Sequence, residues 1–424
     1  MVSISTTSGH LTVVEVDGVI HARGIPYANA RRYQNPTPVT TAGLSRDATR
    51  RGTVCFQSPS RLDSVTGPIV SDLKQSEDCL VLSVAAPVAA DGLPVMVWFH
   101  GGAYMSGGGE APKYDPDPLT KDGVVVVNVT YRLGGFGYLT PTGSAQCNLG
   151  LKDQIEALRW VSANITQFGG NPRNVTVFGQ SAGGDSVLSL IASDITQGLF
   201  HRAIVQSAPI GLQQRRSALH DTAQHAYTGH FTDDPSSAPA SEVLTAQTKV
   251  VAALRKARVL GGMPFGPVTG QTPLAANFDA ALRDTAPLVE LLIGHTKDDA
   301  APFVFMNPKV MRLRRFGAIG RKLTAIIVSI ATRRIFGVDN IRKTWLDAGG
   351  HVATYRFDWA PKDGTLGACH CLELPFLFGG DWSDAPMLGG QVPPERLTAT
   401  MRQTWTSFAK SGVTGLHSDT LVFS

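Results

Sequence analysis

One ten-residue stretch, Val175-Thr176-Val177-Phe178-Gly179-Gln180-Ser181-Ala182-Gly183-Gly184, decides the fold. Four residues of strand composition run directly into a Gly-x-Ser-x-Gly motif, and small residues suited to a helix start follow it. This order predicts a strand, a tight turn and a helix, the arrangement called a nucleophile elbow. An ordinary glycine-serine turn is the alternative, and the strand in front of the motif argues against it.

The spacing of the motif has a chemical reason. A serine that attacks a carbonyl must stand out from the backbone on a strained turn, and Gly179 and Gly183 let neighbouring chain pass close to that turn. Ser181 then lies near a helix N-terminus. There the N–H groups of Ala182 and Gly183 are free to meet a negatively charged oxygen.

Length and composition fit a large α/β domain. The chain has 424 residues, of which 43% are hydrophobic and 17% charged, with 44 glycines and 26 prolines for many short turns. A net charge of +4 is too small to indicate a nucleic-acid partner. The first seven residues lack the features of a secretory signal, and no apolar run is long enough to span a membrane, so we expect a cytoplasmic location.

Flanking segments predict a mostly parallel sheet in one domain, residues 1–424. The continuous apolar runs 95–99 and 124–129 are typical of strands buried on both faces. A helix after Asn148 returns the chain to the elbow strand and completes a βαβ unit. Further strands are expected at 203–206, 289–294 and 352–357, with the last closing the main sheet.

Chemistry-bearing residues follow several of these strands. A serine nucleophile needs a base, and the base needs a carboxylate, in the chain order Ser, acid, His. Gly101-Gly102, Asp298-Asp299 and His370 stand in loops that can converge with Ser181, because parallel strands end at one edge of a sheet. The pattern alone leaves Asp298 and Asp299 both open, and His370 competes with ten other histidines.

Two other features have alternative interpretations. Cys369-His370-Cys371 has no second cluster to support a metal site, so we expect small buried thiols and no metal or organic cofactor. The segment 309–343 holds ten Lys or Arg residues against Asp339. It predicts one or two surface helices with a solvated basic face, and contact with an anionic membrane is the alternative.

The chain resembles the type B carboxylesterase family, which includes cholinesterases and bacterial para-nitrobenzyl esterases. The matching motifs span nearly the whole chain: Gly24-Ile25-Pro26-Tyr27-Ala28, Ser76-Glu77-Asp78-Cys79-Leu80, His100-Gly101-Gly102-Ala103, Tyr131-Arg132-Leu133-Gly134, 153–160, 168–184, Gly198-Leu199-Phe200 and His370-x-x-Glu373-Leu374-Pro375-Phe376.

The resemblance implies an α/β-hydrolase fold with a mostly parallel central sheet flanked by helices. It places the nucleophile on Ser181, the acid on Asp299, the base on His370 and the oxyanion-hole N–H groups on Gly101, Gly102 and Ala182. It also implies an Arg32–Glu77 ion pair and matches Cys55 and Cys79 to a disulfide of secreted members. In the cytoplasm these two cysteines should be free thiols.

The chain departs from the family pattern in ways that bear on substrate choice. Gln180 and Asp299 stand where glutamates are usual, and Ala300 replaces a glycine. The chain is also shorter, with losses after about Pro209 and around 303–350, so we expect shortened lid and gorge insertions.

We therefore predict a serine carboxylesterase. Tyr104, Phe136 and Phe376 are expected near the site and favour small apolar acyl or aryl esters. Two alternatives stay open: a non-catalytic binding protein on the same scaffold, and a lipase acting at a membrane surface through 309–343.

Overall fold

Strands from both ends of the chain meet in one large sheet. The computed structural model describes residues 2–41, 43–141, 144, 146–256 and 263–424. Within them the strands are β1 (Val2–Thr6), β2 (Gly9–Val16), β3 (Val19–Pro26), β4 (Ala28–Asn29), β5 (Thr37–Pro38), β6 (Ser45–Asp47), β7 (Val81–Pro87), β8 (Leu93–Phe99), β9 (Val125–Val129), β10 (Gly170–Gln180), β11 (Arg202–Gln206), β12 (Glu290–Thr296), β13 (Val352–Phe357) and β14 (Thr420–Phe423). Twelve of these form a sheet in the order β1-β2-β3-β7-β9-β8-β10-β11-β12-β13-β14, with β6 beside β2, while β4 and β5 pair separately.

The sheet is antiparallel from β1 to β9 and parallel from β9 through β8 and β10 to β14. The predicted mostly parallel α/β architecture is confirmed, and an antiparallel hairpin turns at Asp17-Gly18 between β2 and β3. The prediction that 352–357 closes the sheet is wrong, because β14 pairs with β13 at the edge. Four residues near the chain end give too short a pattern to recognise as a strand.

Helices cover both faces of the sheet. They are α1 (Asp63–Thr66), α2 (Asp117–Lys121), α3 (Gly134–Gly137), α4 (Leu149–Asn164), α5 (Ala182–Ile191), α6 (Ile210–Thr228), α7 (Ala240–Lys256), α8 (Phe278–Thr285), α9 (Ala301–Phe305), α10 (Pro308–Leu313), α11 (Gly317–Phe336), α12 (Asp339–Asp347) and α13 (Glu395–Ser411). Alternate side chains of the central strands point into the two hydrophobic cores, one on each face of the sheet. Val97 and Val177 pack with α4 and α5 on one face, whereas Trp98 and Phe178 pack with α13 on the other. This two-sided burial explains the unbroken apolar runs.

The basic segment 309–343 folds mainly into α10, α11 and α12 rather than into one or two helices. Among the described residues, no helix combines the length and hydrophobicity needed to cross a bilayer.

Candidate active site

Four loops meet at the carboxyl edge of the parallel strands. Phe99 at the end of β8 lies opposite Gly179 of β10, and Gln180 lies opposite Gln206 of β11. Gln206 in turn lies opposite Gly294 of β12. The loops that carry Gly101, Ser181, Asp299 and His370 therefore leave the sheet at the same side, as the strand pattern predicted.

Ser181 sits on a strained elbow between β10 and α5. Its backbone has φ 58° and ψ −121°, a left-handed conformation that costs energy for a residue with a side chain. A Cβ atom on Gly183 would lie 1.9 Å from the carbonyl oxygen of Phe99, and one on Gly179 would lie 2.5 Å from the Gly183 carbonyl. Both glycines are required by close backbone approach, which confirms the reason given for the motif's spacing.

Asp299 and His370 form the buried polar centre of the site. The Nδ1 atom of His370 and Oδ1 of Asp299 share a hydrogen bond, and neither side chain has any exposed surface. The other carboxylate oxygen of Asp299 accepts the backbone N–H of Thr296 at 3.1 Å. These two bonds fix the carboxylate and leave Nε2 of the imidazole directed away from it.

Asp298 is half-buried beside the candidate acid. Its Oδ2 accepts the backbone N–H of Ala368 at 3.1 Å, and its own N–H donates to the Ala368 carbonyl at 2.8 Å. Asp298 therefore ties the acid loop to the loop of His370. Burial raises the pKa of this carboxyl group.

The side chain of Gln180 occupies the position beside the free imidazole nitrogen. Its Nε2 lies 3.3 Å from His370 Nε2, and its Oε1 accepts a weak bond from the Cys371 thiol at 3.6 Å. Among the hydrogen bonds between described residues, none joins Ser181 to His370. Such contacts are often long in an enzyme without substrate and tighten only when substrate binds.

The glycine loop of the predicted oxyanion hole approaches the serine elbow. A Cβ atom on Gly101 would lie 3.2 Å from the Cβ of Ser181, so this glycine is in close contact with the elbow. Outside helices and strands, no hydrogen bond between described residues is donated by the N–H of Gly101, Gly102 or Ala182. These three groups are therefore available to a ligand oxygen.

Two cavities open on either side of the glycine loop. Ser181 lines a mostly apolar cavity of about 620 Å³, together with Phe303 and Phe336. Gly101, Gln180 and Cys371 line a smaller one of about 320 Å³. Gly102, Ser106 and Leu62 line both cavities, so the two adjoin each other.

The aromatic residues expected at the site lie elsewhere. Tyr104 is buried and donates from its hydroxyl to Asp185 at 2.7 Å, Phe136 packs against Phe56, and Phe376 packs against Phe357. None of the three lines either of these two cavities. The structure corrects this expectation, which rested on sequence proximity to glycine and histidine motifs rather than on side-chain direction.

Phe303 and Phe336 take the expected place and were not found from the sequence. Their ring centroids each lie 5.2 Å from that of His370 and 6.3 Å from each other. Phe303 follows the acid loop by four residues, and that position was the only available signal. Phe336 ends helix α11, in a segment expected only at the surface.

Other buried titratable groups surround the triad candidates. Burial, reinforced by the nearby Asp299, raises the pKa of Glu373 to about 8. Burial also raises the pKa of the Cys369 and Cys371 thiols, which fits their expected role as small buried groups. Within the described residues no His, Cys, Asp and Glu cluster is arranged to hold a metal ion.

Two features implied by the family resemblance lie away from the cavities. The expected ion pair is confirmed, with Nε of Arg32 donating to Glu77 at 2.9 Å and a second contact between the same groups. Cys55 and Cys79 are buried free thiols.

Comparisons with known proteins show the family to which this chain belongs. The profile of the carboxylesterase family matches residues 4–317. The probable N-octanoylanthranilate hydrolase of Rhodococcus erythropolis is 37% identical over an alignment of 402 residues that covers 92% of this chain and 88% of that protein. The para-nitrobenzyl esterase of Bacillus subtilis is 33% identical over a gapped alignment of 443 positions that covers 96% of this chain and 90% of the relative.

A solved structure shows the same fold. A thermophilic PNB esterase superposes with a TM-score of 0.80 at 32% identity, covering 97% of this chain and 91% of the other. The α/β-hydrolase fold implied by the resemblance is confirmed. The chain belongs to the carboxylesterase family and is a carboxylic ester hydrolase.

Proposed function

We propose that Ser181, His370 and Asp299 form the catalytic triad, with Gly101, Gly102 and Ala182 as the oxyanion hole. The buried Asp299–His370 hydrogen bond, at the sheet edge where the strained Ser181 elbow opens into a cavity, carries this assignment. A carboxylate bound to Nδ1 keeps the proton on that nitrogen and leaves Nε2 as the base.

The reaction follows from these positions. Once Gln180 gives up its contact with Nε2, His370 accepts the hydroxyl proton of Ser181 as its Oγ attacks the ester carbonyl. The three N–H groups stabilise the negative oxygen of the tetrahedral intermediate. His370 then donates its proton to the departing alcohol, and water resolves the acyl-enzyme by the same steps in reverse.

The substrates we propose are esters with small apolar acyl or aryl groups. The 620 Å³ cavity presents Phe303, Phe336, Leu212, Leu244 and Val251 beside the nucleophile. Apolar walls of this kind favour ligands by removing hydrocarbon from water. The names of the two relatives compared above, an acylanthranilate hydrolase and a nitrobenzyl esterase, support an acyl or aryl preference.

Replacing the nucleophile tests the assignment. Ser181→Ala should lower kcat for para-nitrophenyl acetate by at least about ten-thousand-fold, because the other triad members cannot act without it. The circular dichroism spectrum should stay unchanged, and phenylmethanesulfonyl fluoride should label Ser181 in the wild-type protein. Complete inactivation with the label on another residue would refute the assignment, and retained burst kinetics in Ser181→Ala would do the same.

The rival function, a non-catalytic binding protein, is disfavoured because this chain keeps the serine, the histidine and a carboxylate in contact with the histidine. Such a protein would show no turnover of any activated ester.

We also propose that residues 1–424 work as one catalytic domain in the cytoplasm. One sheet collects strands from β1 to β14, which supports a single domain. Free Cys55 and Cys79 fit a reducing compartment. Alkylation in intact cells should trap both as thiols, and a Cys55–Cys79 bridge found that way would contradict this location.

A further inference from the structure

Helix α11 turns an apolar stripe outward. Along one side lie Phe316, the residue that caps the helix, and then Ile319, Leu323, Ile326 and Ile330 within it. They are spaced by three and four residues, and these side chains are 45% to 71% exposed. We call this set the outer stripe. The residues buried against the protein are Gly320, Thr324, Val328, Thr332 and Phe336, on the opposite side of the helix. The usual arrangement of a surface helix, apolar inward and polar outward, is reversed here.

Unpaired positive charge surrounds the outer stripe. Lys309, Arg312, Arg314, Arg315, Arg321, Lys322, Arg333 and Arg334 lie in α10, α11 and the turn between them, and no acidic residue occurs between Asp299 and Asp339. Among the described residues none of these eight forms an ion pair with a carboxylate, whereas Arg342 and Lys343 do so further along. Arg314 stacks on Phe305 and Arg333 donates to Ser329, so both cations remain uncompensated.

We propose that the outer stripe and its basic surround bind the surface of an anionic lipid bilayer. A helix that lies in the interface buries an apolar face among acyl chains and places Lys and Arg at the headgroups. Within the helix the stripe runs from Ile319 to Ile330, a length of about 17 Å along the helix axis. Each Lys or Arg held near an anionic surface adds to the attraction.

The charge argues against a second copy of the chain as the occupant. In a twofold dimer the same patch meets itself, so two sets of eight uncompensated cations would face each other. An anionic bilayer supplies the opposite charge and the apolar layer together.

The same helix reaches the candidate active site. Ile335 and Phe336 at its C-terminal end line the 620 Å³ cavity, and Phe336 contacts the ring of His370. Met306, which precedes α10, both lines this cavity and is 44% exposed. A bilayer against α11 would therefore lie close to the cavity, and esters dissolved in that bilayer are the substrate class we infer. This last step rests on the proposed function, whereas the surface itself does not.

Vesicle flotation tests the surface directly. Wild-type protein should float with phosphatidylcholine vesicles that contain phosphatidylglycerol and stay in solution with phosphatidylcholine alone. The triple variant Leu323→Ser/Ile326→Ser/Ile330→Ser should lose at least about tenfold in vesicle affinity, since three buried hydrocarbon side chains are removed. Lys322→Glu/Arg334→Glu should also weaken binding, and added salt should mimic it. Leu288→Ser, at an apolar side chain 61% exposed elsewhere, is the matched control and should bind as wild type.

Several results would overturn the proposal. The first is wild-type protein whose vesicle binding does not depend on phosphatidylglycerol. The second is a triple variant that binds vesicles like wild type. The third is self-association of the wild type in ultracentrifugation that the triple variant abolishes. The last would assign the stripe to a second copy.

Two substrates separate this proposal from the triad assignment. Hydrolysis of soluble para-nitrophenyl acetate should be equal in wild type and the triple variant, while hydrolysis of a long-chain ester carried in phosphatidylglycerol vesicles should fall with binding. A wild-type protein that floats but hydrolyses neither ester would refute the proposed function and leave the surface standing. Equal hydrolysis of the vesicle-borne ester by both proteins would refute the inferred substrate class.

Discussion

Helix α5 begins directly after Ser181, which lines the same cavity as the C-terminal end of α11, yet the two helices are built in opposite ways. All ten residues of α5, from Ala182 to Ile191, are buried, and the helix starts where the Ser181 turn leaves the sheet. In α11 five of twenty residues are buried, and most of its large apolar side chains are partly or largely exposed. The first helix is fixed by close packing on every side, whereas the second is anchored along one narrow side. One site therefore combines a nucleophile, Ser181, held by close packing with a cavity wall at α11 that is less tightly packed.

The acid loop offers the largest expected effect in the rigid region. Asp299→Asn should lower kcat by at least about a hundred-fold, because an amide in place of the carboxylate permits the wrong imidazole tautomer. Steady-state kinetics on one activated ester measure the change. Asp298→Asn is the matched control and should cost less than about tenfold, since its amide oxygen can still accept the Ala368 N–H. If Asp298→Asn lowers kcat more than Asp299→Asn does, the catalytic acid is Asp298 and the assignment is wrong by one residue.

Truncations on the two sides of α11 test its one-sided anchoring. Val328→Ala should lower the free energy of unfolding by about 2 kcal/mol, since its side chain is only 3% exposed and a cavity results. Ile330→Ala should change it by less than about 0.5 kcal/mol. Urea denaturation compares the two variants with wild type. Equal losses would show that the outer stripe is packed in solution.

The buried carboxyl group of Glu373 tests the closely packed region in another way, through the pH dependence of stability. Burial raises this pKa from 4.5 to about 8, so the folded protein holds the proton more tightly than the unfolded chain. The contribution to stability is complete below pH 4.5 and is lost as pH rises through 8. Glu373→Gln mimics the protonated form at every pH. The fall in the free energy of unfolding with rising pH should therefore be smaller than in wild type by at least about 1.4 kcal/mol, the value of one pKa unit.

Thermal unfolding measured at pH 6 and at pH 9 gives this difference. Glu15→Gln changes an exposed carboxylate and should keep the wild-type pH dependence. A Glu373→Gln protein with the same pH dependence as wild type would show that this carboxyl group is not protonated in the fold.

The smallest expected effect concerns the amide beside the base. Gln180→Glu places a carboxylate near His370 Nε2 and favours the imidazolium, so the acidic limb of the kcat/KM profile should move to higher pH by roughly one unit. Gln197→Glu, on the exposed surface, should leave the profile unchanged. An unmoved limb in Gln180→Glu would mean that the new carboxylate does not lie against the imidazole in the free enzyme.

Local sequence was enough for the elbow, the parallel strands and the order of the catalytic candidates. Gly179 and Gly183 are dictated by backbone approach within a few residues of Ser181, and buried strands show as unbroken apolar runs, so both signals are local. Asp299 could be chosen over Asp298 only by family resemblance. The two side chains are adjacent, and only the fold sends one to His370 and the other to Ala368.

Long-range packing decided the cavity walls and the outer face of α11. Phe303 and Phe336 meet His370 across distances of 67 and 34 residues in sequence, and no local pattern encodes that meeting. The spacing of the apolar residues in α11 predicts a helix. By itself, that spacing would also predict that the outer stripe is buried. That stripe faces outward because Gly320, Thr324 and Thr332, small enough for close contact, pack against the protein instead. Which side of a helix is buried depends on the shape of what it packs against, and that shape exists only in the folded chain.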